Sequence, residues 1–140
     1  MIVVRPAASD EGHLHERAVA AAAASYSPHS KFRVGCAVRT SSGLVFVGTN
    51  IDNASYPVSV CAEKSAVSAA VTAGERQLSA VAVAGDADSV SPCGACRQLL
   101  AEFGGPDMTV TYRWQGDLVT AALGELLPHA FAFGASQTSR

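Results

Sequence analysis

Residues 10–25, "DEGHLHERAVAAAAAS", are built from strong helix formers and run into the turn-like "SYSPHS". The small side chains of the alanine run 20–24 suit a helix that lies close to a sheet. "FRVGCAVRT" and "GLVFVGTN", rich in Val and Phe, flank the turn "SSG" and predict a β-hairpin. "CAEKSAVSAAVTAG" reads as a helix closed by Gly74 at its C-terminal end. "LSAVAVAGD" is a short uncharged apolar run, the pattern of a strand covered on both faces. Ser91 and Pro92 then open a helix, "CGACRQLLAEFG", stopped by Gly104 and Gly105. "DMTVTYRW" predicts a strand, "QGD" a turn, and "AALGELLPHAF" a short helix ended by Pro128. A helix, two strands and then strand–helix alternation give an α/β class with a mixed sheet between helical layers.

At 140 residues the chain suits one domain, expected over 1–133, with the polar end "GASQTSR" (134–140) expected to be disordered. Apolar residues make up 49% and charged residues 16%, so a well-buried core is expected. The net charge is −2 and the cations are scattered singly, which argues against a nucleic-acid groove. No apolar run reaches membrane-spanning length, and "MIVVRPAASDEG" is too short and too soon charged for a signal peptide. The expected compartment is the cytoplasm, where four cysteines serve as reduced thiols, ligands or catalysts rather than as a disulfide frame.

Three of those cysteines are placed for chemistry. Cys93 and Cys96 lie three apart in the first turn of a helix, so their sulfurs share a face. The free amides and dipole there favour thiolate over thiol. Cys61 opens another helix, and if both helix starts meet at one sheet edge, three sulfurs converge on a zinc ion. Three protein ligands leave one position for water, whose pKa then falls to roughly 7. Lys64 or Arg97 can offset the excess negative charge. Glu63 follows Cys61 by two residues, a spacing that brings both to the metal mouth only at a helix entrance. There its carboxylate could take a proton from the water and return it to a substrate. Rival readings are a structural zinc closed by one of His13, His15, His29 and His129, and a redox dithiol in "CGAC". No histidine has ligand-pair spacing with a cysteine, and a dithiol leaves "CAE" unexplained.

"CAE" followed by "PCGAC" resembles the signature of the zinc-dependent cytidine deaminases. "YSPHSKFRVGCAV", "VGTNIDNASYP", "SPCGACRQLLAEFG" and "ELLPHAF" resemble, in order, landmarks of the small cytidine deaminases, over roughly residues 26–131. The resemblance implies a three-layer α-β-α sandwich around a mixed five-stranded sheet. It also implies one zinc per subunit on Cys61, Cys93 and Cys96, with Glu63 as proton shuttle. Phe32 would pack on the pyrimidine, the backbone of Ala62 would address the base, and Asn50 and Asp52 would bind the sugar hydroxyls. Tyr56 and Phe131 match positions that reach into a neighbouring subunit's site in a homotetramer. The implied reaction converts cytidine or 2′-deoxycytidine to the uridine and ammonia, with pyrimidine salvage or a specialised route as its setting. Deamination of blasticidin S is the alternative. The sequence departs from the family pattern at three places. Asp52 stands for the usual glutamate and Lys64 for the usual arginine. Cys36 replaces a small residue and reads as a buried hydrophobe.

Overall fold

The computed structural model of the chain describes residues 1–133, so the expected disorder of 134–140 lies outside the described residues. A six-stranded sheet has the order β1-β6-β5-β4-β2-β3, formed by β1 (Arg5–Pro6), β2 (Val34–Thr40), β3 (Val45–Thr49), β4 (Leu78–Gly85), β5 (Thr109–Trp114) and β6 (Asp117–Ala122). β4 and β5 are parallel and every other pairing is antiparallel, so the sheet is mixed as expected. The helices are α1 (Ser9–Ala22), α2 (Ala62–Thr72), α3 (Gly94–Phe103) and the short α4 (Leu123–Leu126), with a 3-10 turn at Tyr56–Val58.

The resemblance implies five strands and the chain's own pattern shows four, whereas the structure has six, the two beyond the pattern being β1 and β6. β1 is a two-residue edge strand on β6, too short to leave a periodic signal. β6 is hidden from the pattern because "LVT" falls unassigned between the turn "QGD" and a helix expected to start at Ala121. Gln115 (φ 53°) and Gly116 (φ 88°) instead form a two-residue hairpin turn that returns the chain antiparallel to β5. Ala121 and Ala122 end that strand, and the helix shrinks to four residues.

β4 shows how one sequence serves two layers. Ala80, Ala82 and Ala84 pack with Leu14 and Ala18 of α1. Val81 and Val83 point the other way, into the larger core with Ala66, Val67, Ala70 and Leu100 of α2 and α3. Small residues line the α1 side because α1 lies very close. A Cβ built on Gly35 of β2 would sit 1.9 Å from Ala18 O and 2.5 Å from Ala22 N. The alanine-rich helix and Gly35 are thus two halves of one contact, and Gly48 makes the same approach to α2, 2.3 Å from Ala66 N. Gly35→Ala is expected to destabilise the fold by about 3 kcal/mol or more, since backbone must move to relieve the overlap. A urea midpoint unchanged from the parent would contradict this.

On the α1 face, Glu11 caps its own helix by accepting the Ala8 N–H at 2.8 Å. It also takes a two-pronged ion pair from Arg5 at 2.7 Å and a hydrogen bond from the Thr120 hydroxyl at 3.0 Å. The Arg5 guanidinium, aided by these donors, holds the Glu11 carboxyl down at about 2 against an ordinary 4.5. A depressed carboxylate stabilises the fold fully above its unfolded pKa, and that contribution fades as pH falls from about 4.5 towards 2. Arg5 is half exposed, so we expect about 1–2 kcal/mol from the group. Denaturation from pH 7 to pH 2 should show the parent converging on Glu11→Gln at the acid end. A pH-independent gap between the two would refute it.

Candidate active site

α2 leads back into β4 and α3 leads away from it, so both helices start near the C-terminal end of that strand. Cys61 is the N-cap of α2 and Cys93 the N-cap of α3, both with extended backbone, and Cys96 sits in the first turn of α3. The two helix starts meet as expected. Cys61 Sγ and Cys96 Sγ are 2.8 Å apart, and one ligand atom each from Cys61, Glu63 and Cys96 lies within 4.8 Å of the others. Cys93 lies outside this tightest trio, but it lines the same cavity. No disulfide joins the four cysteines.

The thiols are polarised. The Cys61 thiol is pulled down to about 6, first by the hydrogen bond from Cys96 and then by the free N–H groups and charge at the α2 start, Lys64 included. The Cys96 thiol is pushed up, because its proton is held in that same bond. Arg97 has another task. It donates to Pro92 O at 2.8 Å, Leu126 O at 2.9 Å and Ser91 Oγ at 3.3 Å, fixing the loop that delivers Cys93. Gln98 donates to Phe131 O at 3.1 Å.

Glu63 is 4% exposed, and burial raises its carboxyl to about 7, with the negative Cys61 contributing. A buried acid near neutrality beside soft sulfur donors is a site for proton movement next to a metal. The chemistry of the donors also fits zinc, since thiolates at helix N-termini are soft ligands whose excess charge is offset by the helix amides. Cys36 is fully buried beneath this cluster. Burial first, then Glu63 and Cys61, raise its thiol well above the ordinary value, as suits the expected buried hydrophobe.

A cavity of about 450 Å³ opens onto the cluster. Phe32, Asn50, Asp52, Ala62, Glu63, Cys61, Cys93 and Cys96 all line it, so eight of the ten expected site residues share one space. Tyr56 and Phe131 do not line it. They are 78% and 67% exposed, Tyr56 in the 3-10 turn and Phe131 beside a separate groove under α4. The wall also includes Ser30, Ser59, Val83, Val90 and Ser91, which sequence reasoning passed over. Ser30 lay in plain view two residues before Phe32, but a serine in a turn carries no signal of its own.

The Phe32 wall is held by the residues expected to bind sugar. Asn50 Nδ2 donates to Phe32 O at 2.7 Å, and Asn50 Oδ1 accepts from Val34 N–H at 2.9 Å and from the Ser25 hydroxyl. Asp52 accepts the N–H groups of His29 at 3.0 Å and Ser30 at 2.7 Å, and the Ser30 hydroxyl at 3.2 Å. These donors, Ser30 N–H first, hold its carboxyl below the ordinary value. Lys31 adopts a left-handed backbone (φ 57°) that turns the chain into Phe32. Gly85 leaves room for the ring, since a Cβ there would lie 3.2 Å from Phe32 Cε1.

A family model described as "Cytidine and deoxycytidylate deaminase zinc-binding region" matches residues 8–112. A cytidine deaminase from Halalkalibacterium halodurans is 42% identical over 124 residues, covering 87% of this chain and 94% of the relative. The crystal structure of a cytidine deaminase from Burkholderia pseudomallei superposes with a TM-score of 0.80 at 44% identity, covering 86% of this chain and 98% of that one. A blasticidin-S deaminase from Bacillus cereus is more distant, 32% identical over 108 residues, with 71% of this chain and 76% of the relative covered.

Proposed function

The chain belongs to the zinc-binding cytidine and deoxycytidylate deaminase family, and from that premise we propose that it hydrolyses cytidine and 2′-deoxycytidine to the uridines and ammonia. The observation that carries the reading is the buried Glu63 carboxyl beside the sulfurs of Cys61 and Cys96, at the floor of a cavity walled by Phe32. Cys61, Cys96 and Cys93 would hold zinc, which when bound supplies Lewis acidity towards water at the floor of the cavity. Phe32 offers its ring to the pyrimidine, and the 62–63 backbone at the α2 start faces the exocyclic side of the base. Glu63, protonated near neutrality, donates to N3 of the ring. Its carboxylate then takes the proton of the water that adds to C4 and passes it to the amino group, which leaves as ammonia. Burial keeps bulk water away from this relay and holds the carboxyl at the pKa that two-way transfer needs.

Sulfur ligands and a proton-relaying carboxyl do not choose the substrate's sugar, so substrate identity rests on the relatives. Cytidine deaminases at about 40% identity favour cytidine over blasticidin S. We further read the protein as a homotetramer in the cytoplasm, in pyrimidine salvage. The exposure of Tyr56 and Phe131 supports their presenting rings to a neighbouring copy, and four unpaired thiols suit a reducing compartment. The test is the near-ultraviolet change on mixing purified protein with cytidine, 2′-deoxycytidine or blasticidin S, alongside a zinc assay. Turnover of blasticidin S alone, or a zinc-loaded protein inert to all three, would overturn the reading.

A further inference from the structure

We propose that Asp86 is a positioning residue for the base: it grips the N–H of the peptide between Phe32 and Arg33, and so sets the angle at which the Phe32 ring enters the cavity. The proposal rests on the deaminase reading above, in which that ring meets the pyrimidine, and adds to it a residue outside the cavity wall.

A peptide unit is planar, so fixing its N–H and its C=O fixes the whole plate. Between Phe32 and Arg33 both poles are held by side chains. Asn50 Nδ2 donates to Phe32 O at 2.7 Å, and Asp86 Oδ2 accepts the Arg33 N–H at 2.9 Å. The Cα of Phe32 is one corner of that plate, so a tilt of the plate swings the ring. Phe32 is only half-buried, and packing covers only part of it.

The grip is returned from the facing strand. Asp86 N–H donates to Arg33 O at 3.2 Å, one position past Val34 opposite Gly85, where the β2–β4 ladder ends. Gly85 permits this approach, since a Cβ there would lie 3.2 Å from both Arg33 O and Phe32 Cε1 and 3.1 Å from Val90 Cγ1. Phe32 and Val90 flank that glycine and both line the cavity, so Asp86 follows directly on the meeting point of two parts of the wall.

The Arg33 guanidinium also pairs with Asp86, Nε to Oδ2 at 3.0 Å and Nη2 to Oδ1 at 3.0 Å. It holds the Asp86 carboxyl below its ordinary value, and the carboxylate is therefore ionised at neutral pH. Both residues are exposed, however, and an ion pair in water holds weakly. The bond to the peptide N–H is the one that carries the positioning.

The test compares kcat and KM of the zinc-loaded protein for cytidine and 2′-deoxycytidine in the parent, Asp86→Ala, Asp86→Asn and Arg33→Ala, with thermal midpoints alongside. Asp86→Ala is expected to raise KM roughly three- to tenfold, the worth of one hydrogen bond, with kcat nearly unchanged. The factor should be the same for both nucleosides, because the ring meets the base they share. Asp86→Asn keeps an oxygen for the Arg33 N–H, and Arg33→Ala keeps the N–H itself, so both should stay close to the parental KM. A merely stabilising Asp86 would lower the thermal midpoint of Asp86→Ala and leave KM, measured well below that midpoint, unmoved; this would overturn the proposal. So would a rise in Arg33→Ala equal to that in Asp86→Ala, which would place the effect on the exposed ion pair. Cytidine left untouched by the parent is a different result: it removes the deaminase reading itself, and this inference with it.

Discussion

Glu63→Gln is expected to keep its zinc and its fold while turnover of cytidine falls by about a hundred- to ten-thousandfold. The substitution preserves shape. Glu63 is 4% exposed and packed at the α2 entrance, so an isosteric amide leaves no cavity and brings in no buried charge. What it removes is the exchange of protons. An amide can donate to a ring nitrogen, but it cannot take a proton from water and hand it on to a departing amine. The loss should appear in kcat, since the Phe32 wall of the cavity is untouched. Elemental analysis and the ultraviolet assay check the two halves separately. A variant that retains both zinc and near-parental turnover would remove Glu63 from the relay, and one that loses zinc would make it a ligand.

The residues proposed to carry this chemistry were legible because each has a rare side chain in a rare place. A thiol at a helix entrance, repeated after a strand, has few purely structural uses, and Cys61, Cys93 and Cys96 fall at such entrances. The α/β class was legible for a related reason: "LSAVAVAG" alternates alanine and valine so that each face of β4 suits a different helical layer. What escaped was set by backbone geometry and by contacts between distant segments. β6 depends on two positive φ values at Gln115 and Gly116, and composition pointed instead to a longer helix. Arg97 and Gln98 looked as much like solvated helix positions as like supports. Their bonds to Leu126 O and Phe131 O join α3 to a segment roughly thirty positions later, which no local pattern encodes. Asn50 and Asp52 were expected at the sugar from a resemblance alone, and their grip on the turn before Phe32 appears only in three dimensions.

Substitution of the sulfurs has the other large effect, and Cys96 and Cys93 should differ in an instructive way. Cys96 is 2% exposed and 2.8 Å from Cys61, so Cys96→Ser takes a donor from the centre of the cluster. A serine hydroxyl stays protonated at neutral pH and is a poor ligand for zinc. Metal affinity is expected to drop by at least about a hundredfold, with turnover and thermal midpoint falling together as bound zinc is lost. Cys93 is exposed and caps α3 without a side-chain hydrogen bond. Serine is a preferred residue at an N-cap. In chelator-treated protein, Cys93→Ser should therefore be at least as stable as the parent, because α3 gains a cap. In zinc-loaded protein the order should reverse, because the parent alone keeps its third sulfur. That crossing of stabilities is the signature of a ligand at position 93, where a residue of purely local structural role would give the same order in both conditions. Elemental analysis makes the same separation: zinc retained at the parental level in Cys93→Ser would confine the ligand set to the trio of Cys61, Cys96 and Glu63, and would recast the glutamate as a ligand.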